Sequence, residues 1–253
     1  MKSHFLWAFI LLIGISCQNK NKNSTNAQTV VDKAIEVSGK DNFKNAEISF
    51  KFRDKTYVSK GHCSHFVLER ITQKADSLIK DFYEPGKGLK RYVQDNLIQI
   101  ADTTATKYAE SINSVFYFVQ LPYRLNDDAV NKKYKGLDTI NGKAYHNIVV
   151  SFDQDGGGTD YEDEYLYWFD EKTFKLNYLA YSFKVNGGGM RFREAYNERI
   201  IDGIRFVDYK NYKPISKKIK LKDISKAFNE RQLELLSKIE NEKIVVKKYK
   251  EKC

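Results

Sequence analysis

The sequence is short of the residues from which metal and nucleophilic centres are usually assembled. Its 253 residues hold three cysteines and four histidines, and no Cys-x-x-Cys pair occurs, which removes a zinc site of the paired-thiolate kind. There is no Gly-x-Ser-x-Gly elbow and no His-Glu-x-x-His helix, so the two plainest routes to a serine hydrolase or a zinc peptidase are missing. Neither GGG run (Gly156–Gly158, Gly187–Gly189) opens a helix pattern, as a phosphate cradle requires. Strand and helix patterns do not alternate, which disfavours a parallel α/β barrel or a doubly wound sheet. No cofactor is expected.

Only one long apolar run is present. Phe5 to Ile15 is too short for a bilayer core, which takes about 20 residues, and suits a signal-peptide h-region of about 7–15. Lys2 supplies the positive n-region, and Gly14, Ile15 and Ser16 lead into Cys17. Residues 1–16 therefore read as a signal peptide and Cys17 as a lipidation site, with Gly14 standing where a lipobox commonly has leucine. Gln18 to Gln28 is polar and too poor in apolar area to order itself. The division expected is 1–16 signal peptide, 17–27 flexible lipidated tether and 28–253 a single domain. Palmitate on Cys17 would hold that domain at a membrane. With no acidic residue directly after Cys17, the expected location is the outer membrane, facing the periplasm.

The net charge of +10 becomes +9 once Lys2 leaves, and much of it sits in Lys213–Asp223 and Lys247–Lys252. Export argues against nucleic acid as the partner, so these runs read as a solvated basic face. The partners expected are the membrane, through the anchor, and a lipid or acyl-chain ligand. Cys63 and Cys253 remain after Cys17 is used, leaving one disulfide arithmetically possible.

Hydrophobic periodicity divides the rest. Thr29–Ser38 carries Val30, Val31, Ala34, Ile35 and Val37 at helical spacing, and Gly39 follows as a stop. The period then falls to two, as in Ile48, Phe50 and Phe52. Tyr108, Ile112, Val115, Phe116 and Val119 mark a second helix ending before Pro122, and Asp127 is placed to cap a short helix through Lys133. Asn141-Gly142 and Asp202-Gly203 are hairpin turns in a later meander. A last helical stretch spans Leu221–Asn229. The fold expected is mainly β (α+β): a large curved antiparallel sheet forming an incomplete barrel of about 10–11 strands with about 2–4 helices on its concave side.

Four segments carry a resemblance: Ser111–Val130 (SINSVFYFVQLPYRLNDDAV), Gly156–Trp168 (GGGTDYEDEYLYW), Leu179–Asn197 (LAYSFKVNGGGMRFREAYN) and Gly203–Tyr212 (GIRFVDYKNY). In that order they resemble a Bacteroidota lipoprotein family, domain of unknown function 6503. The resemblance implies a fold like that of the lipoprotein carriers LolA and LolB, an incomplete barrel closed by helices over a hydrophobic cavity.

The leading functional expectation is noncatalytic binding of a lipid or other hydrophobic ligand. The cavity candidates are Phe116, Tyr117, Phe118, Leu121, Tyr123, Tyr165, Tyr167, Phe169 and Tyr181. The alternatives are a periplasmic hydrolase working through carboxylates and a structural or assembly lipoprotein. No catalytic residue is assigned. Asp153, Asp155, Asp160 and Glu164 crowd one glycine-rich loop and are weak calcium candidates, because strands rather than helices flank it. On a strand Cys63 and His65 share a face while His62 points to the other, which disfavours a metal site there even with a ligand borrowed from His146. Arg191 and Arg193 share a strand face with Ala195. They suit either an anionic headgroup or the acidic loop, and the loop is the expected partner.

Overall fold

The computed structural model describes residues 26–62, 65–155, 161–184 and 187–250. Residues 1–25, with Cys17 among them, and Cys63, Asp160 and Cys253 lie outside them.

Asn26 opens the first helix, α1 (Ala27–Val37), by accepting a 2.7 Å hydrogen bond from the Thr29 amide on its side-chain oxygen. That cap satisfies one of the amides a helix start leaves orphaned, and it sets the start at Ala27 rather than Thr29. Val30, Val31, Ala34 and Ile35 are buried, while Val37 faces out. Gly39 then turns the chain at φ +113°, where a β-carbon would lie 2.5 Å from the Gly203 carbonyl oxygen. Asp202 and Gly203 both have positive φ (48° and 78°), as a type I′ hairpin demands. The Arg205 amide donates to Ser38 O at 3.1 Å, so the end of α1 is clamped to a hairpin far along the chain.

Two seven-stranded antiparallel sheets follow. The first contains β1 (Ala46–Phe52), β2 (Lys55–His62), β3 (His65–Lys74), β4 (Ser77–Glu84), β5 (Gly88–Val93) and β6 (Asn96–Ile98), with β14 (Glu242–Lys248) added beside β1. The second is a meander of β7 (Val130–Ile140), β8 (Lys143–Phe152), β9 (Glu164–Asp170), β10 (Leu176–Phe183), β11 (Gly189–Ile201), β12 (Ile204–Pro214) and β13 (Leu233–Ile239). Since β13 ends one sheet and β14 edges the other, the Glu240–Asn241 link is the seam between them.

The class is as expected: mostly β, antiparallel and open, with three α-helices among the described residues. The fourteen strands among the described residues exceed the expected number because β2, β7 and β13 carry lysine and serine among their apolar residues. The helix expected to start at Asp127 is instead β7. Asp127 accepts from Arg124 Nε at 2.8 Å, and the following residues alternate between buried or half-buried and exposed positions. The lysines of β7 belong on an edge strand, where charge discourages pairing with another chain.

Helix α2 (Asp102–Val119) lies on the inner side, with Ile112 and Phe116 in the core of the first sheet. On the inner face of the second sheet, α1 and the Leu121–Leu125 segment pack against Tyr165, Tyr167, Phe169 and Leu179. Helix α3 (Ile224–Asn229) covers the other face, where Ile224 and Phe228 meet Trp168, Tyr178 and Phe192. This corrects the placement of all helices on one side. It also explains the nearly unbroken apolar run of β9, since a strand covered on both faces has no solvent side to keep polar. Among the described residues no helix is long and apolar enough to cross a membrane.

Candidate functional site: a cavity at the seam

Adjacent strands in register bring one residue from each onto a transverse row. On the inner face of the second sheet such a row runs Ile148, Tyr167, Leu179, Arg193, Asn211 and Ser237. Its first three members are fully buried and apolar or aromatic. The last three are polar and approach the seam, where α2 passes overhead.

A cavity of about 260 Å³ opens at that point. Its apolar wall is formed by Phe52 of β1, Val115, Phe118 and Val119 of α2, Ile239 of β13 and the Tyr181 ring of β10. The polar residues are Arg53, Ser114, Arg193, Asn211, Ser237 and Asn241, and none of the lining residues is an acid.

Arg193 is the unusual member. Only 8% of it is exposed, yet among the described residues it has no carboxylate within ion-pair distance. Its guanidinium lies 3.9 Å from the Phe118 ring centroid and 5.3 Å from that of Tyr181. Its Nη2 donates to Tyr181 Oη at 3.0 Å, while the buried Nε has no partner among the described residues. Asn211 donates to Ser237 Oγ at 3.2 Å, and its buried carbonyl oxygen, like that of Asn241, has no partner among the described residues.

A cleft of about 300 Å³ shares Asn241 with the cavity and contains the carboxylates of Asp208, Glu240 and Glu242. The first two are engaged. Asp208 accepts 2.7 Å bonds from both Nη atoms of Arg199, one from Asn197 at 2.6 Å and one from the Asn241 amide at 3.0 Å. Burial opposes the Asp208 charge, but these donors prevail and hold its pKa below the ordinary carboxylate value. Glu240 accepts from Tyr196 at 2.6 Å.

Of the nine aromatic and aliphatic candidates, Phe118 and Tyr181 line the cavity. The other seven are packed beside it. Phe116 is wedged edge-on against Phe50 and Tyr57, and Tyr123 stacks on Phe43 at 4.6 Å. Tyr117 and Tyr167 share a 3.2 Å hydroxyl contact, and burial drives both phenol pKa values upward. Leu121, Tyr165 and Phe169 belong to the same inner core. Sequence reasoning did not assign Val115, Val119, Ile239, Asn211, Ser237 or Asn241 to a cavity. The helical spacing of Ser114, Val115 and Phe118 was a usable signal, whereas Asn211 and Ser237 join the site only through strand register.

The acidic loop lies elsewhere. Asp153 accepts from Asn131 at 2.7 Å, and Glu162 pairs with Lys184. Asp155 and Glu164 are exposed, and Asp160 falls outside the described residues. Among the described residues no three His, Cys, Asp or Glu side chains gather as metal ligands. Nor, among those residues, do Arg191 and Arg193 pair with this loop. Arg191 donates to the Met190 carbonyl and covers the Phe183 ring, and Arg193 turns into the cavity. Of the three neighbouring polar positions, His62 meets the Tyr249 ring at 4.8 Å, Cys63 is outside the described residues, and nothing is assigned to His65.

Among solved structures, the chain is similar to a DUF1329 family protein from Desulfovibrio piger, at 13% identity and a TM-score of 0.45, covering 75% of this chain and 87% of that one. A LolA superfamily protein from Nitrosomonas europaea gives 14% and 0.42, over 77% and 88%. The lipoprotein LppX of Mycobacterium tuberculosis gives 8% and 0.26, over 64% and 91%. All are remote likenesses. No curated protein matches. A family model matches residues 2–241, and the chain belongs to that family, the family of unknown function DUF6503.

Proposed function

We propose that this chain is a noncatalytic, lipid-anchored envelope protein that binds a hydrophobic ligand, a lipid or a single acyl chain, in the seam cavity. The observation that carries this reading is the lined space between α2 and the two sheets, with six apolar or aromatic residues and six polar ones on its walls. Concave, mostly apolar spaces with a few polar groups are the usual form of small-molecule sites. Its volume, about 260 Å³, is just under the usual range for small-molecule sites, about 300–1,000 Å³. It suits one chain, with the rest of a longer ligand emerging at the open side.

The anchor belongs to the same reading. Cys17 carries acyl groups, the residues after it form the tether, and the domain faces the periplasm from the outer membrane. Radiolabelled palmitate should enter the protein and be lost in Cys17→Ser. For the cavity, native mass spectrometry of the protein purified from its own membranes should show a co-purified lipid, and a fluorescent fatty acid should bind saturably. Absence of both signals contradicts the binding role.

A further inference from the structure

We infer that Arg193 is the cavity's anion receptor, taking the carboxylate or phosphate head of a single-chain amphiphile whose tail lies along Val115, Phe118, Val119 and Ile239. This rests on the hydrophobic-ligand reading and specifies its ligand class.

The other arginines buried to the same degree have an acid. Arg70 donates to Asp81 at 2.8 and 3.1 Å, and Arg205 donates to Glu198 at 2.7 Å. A charge removed from water without a counter-charge is costly, and Arg193 alone among these buried arginines lacks one. Its guanidinium lies over the Phe118 ring, with Tyr181 beside it as the acceptor for Nη2, which leaves the other N–H groups as the place for a partner. A guanidinium offers five donors in a rigid fork that matches two oxygens of a carboxylate or phosphate, and here a single bond, to a phenol, is in place among the described residues.

The surroundings select the same sign. No acid lines the cavity, and Arg53 stands among the lining residues as a second cation. Asn211 faces Arg193 directly across the β11–β12 ladder, a distance at which two side chains can grip one group. Its contact with Ser237 survives a half-turn of the amide, because the hydroxyl can donate as well as accept. That half-turn presents an NH₂ to the head. The apolar wall begins next to this cluster, so head and tail sites are continuous.

The test compares ligands that differ only in the head, using the full chain and calorimetric titration below the micellar concentration. Dodecanoate and dodecyl phosphate should bind, dodecanol should bind about tenfold to a hundredfold more weakly, as expected for loss of a charge-assisted hydrogen bond, and acetate and inorganic phosphate should not bind measurably. Arg193→Gln should reduce affinity for dodecanoate by a similar factor and leave dodecanol unchanged. Equal binding of dodecanoate and dodecanol by the unaltered protein overturns the role of Arg193 while sparing the hydrophobic-ligand reading. Failure of all three chain ligands overturns both. An equal loss for dodecanoate and dodecanol in Arg193→Gln assigns the arginine to packing and overturns the inference. Tight binding of free phosphate or acetate would mark an anion site without a chain site and contradict it as well. The head-group comparison in the unaltered protein decides the matter even if the variant does not fold.

Discussion

Arg70 and Arg193 occupy equivalent situations in opposite sheets and are treated differently. Each sits on an inner strand face beneath α2, with 7% and 8% of its surface exposed. Arg70 belongs to a closed network: Asp81 accepts from it and from Arg91, Tyr108 covers both guanidinium groups, and Ser111 lies 3.4 Å from Arg70 Nη1. Arg193 has two aromatic rings and a phenol. The first arrangement is complete in the folded chain, since the carboxylate that offsets the charge is built in. The second is complete only when something anionic arrives. Burial alone therefore does not distinguish a structural charge from a binding one; the presence or absence of the counter-charge does.

Breaking the first network should give the largest effect. Asp81→Ala leaves Arg70 buried without its acid and should lower unfolding stability in urea by about 3–5 kcal/mol, with ligand binding intact in the folded fraction. Arg193→Met should behave oppositely, staying within about 1 kcal/mol of the parent or gaining stability, because removing an unpaired buried charge relieves a desolvation cost. A loss matching that of Asp81→Ala would mean Arg193 already has an equivalent partner and would end the contrast. Next, Val115→Phe should fill the tail region and weaken dodecanoate binding by about tenfold, since each methylene denied burial forfeits about 0.8 kcal/mol, with Arg70 unaffected.

The smallest effect is a control on the second sheet that touches neither arginine. Burial, ahead of all other influences, holds the pKa of His146 below its ordinary value of 6.5. The folded chain then binds fewer protons than the unfolded chain just below pH 6.5, so this contribution is full above that pH and is lost as pH falls through the window. Urea unfolding of His146→Phe at a series of pH values should show a shallower decline there.

Much of the architecture was legible because it rests on local rules. Val30, Val31, Ala34 and Ile35 at helical spacing gave α1, and Asn141-Gly142 and Asp202-Gly203 gave hairpins, since only residues tolerant of positive φ fit those turns. The lysine-rich β7 and the seven residues of β13 were obscured because an edge strand has one paired side and keeps charged residues. The site was less legible for a different reason. Phe118 and Tyr181 could be nominated as aromatic, but Phe116 and Tyr167 look identical in sequence and are packed core. Which face a ring takes depends on how α2 lies over the sheets. The grouping of Arg193 with Asn211 and Ser237 depends on the register of three strands, which no local pattern encodes.

The central claim, an acyl chain lying in the seam cavity with its head on Arg193, is tested most directly by NMR contacts between ¹³C-labelled dodecanoate and the full chain. The account predicts nuclear Overhauser effects from the tail to the methyl groups of Val115, Val119 and Ile239, together with a shift of the Arg193 Nε–H resonance on binding. Contacts confined to the opposite face of the second sheet, around Ile224 and Phe228, with the Arg193 resonance unmoved, would contradict it.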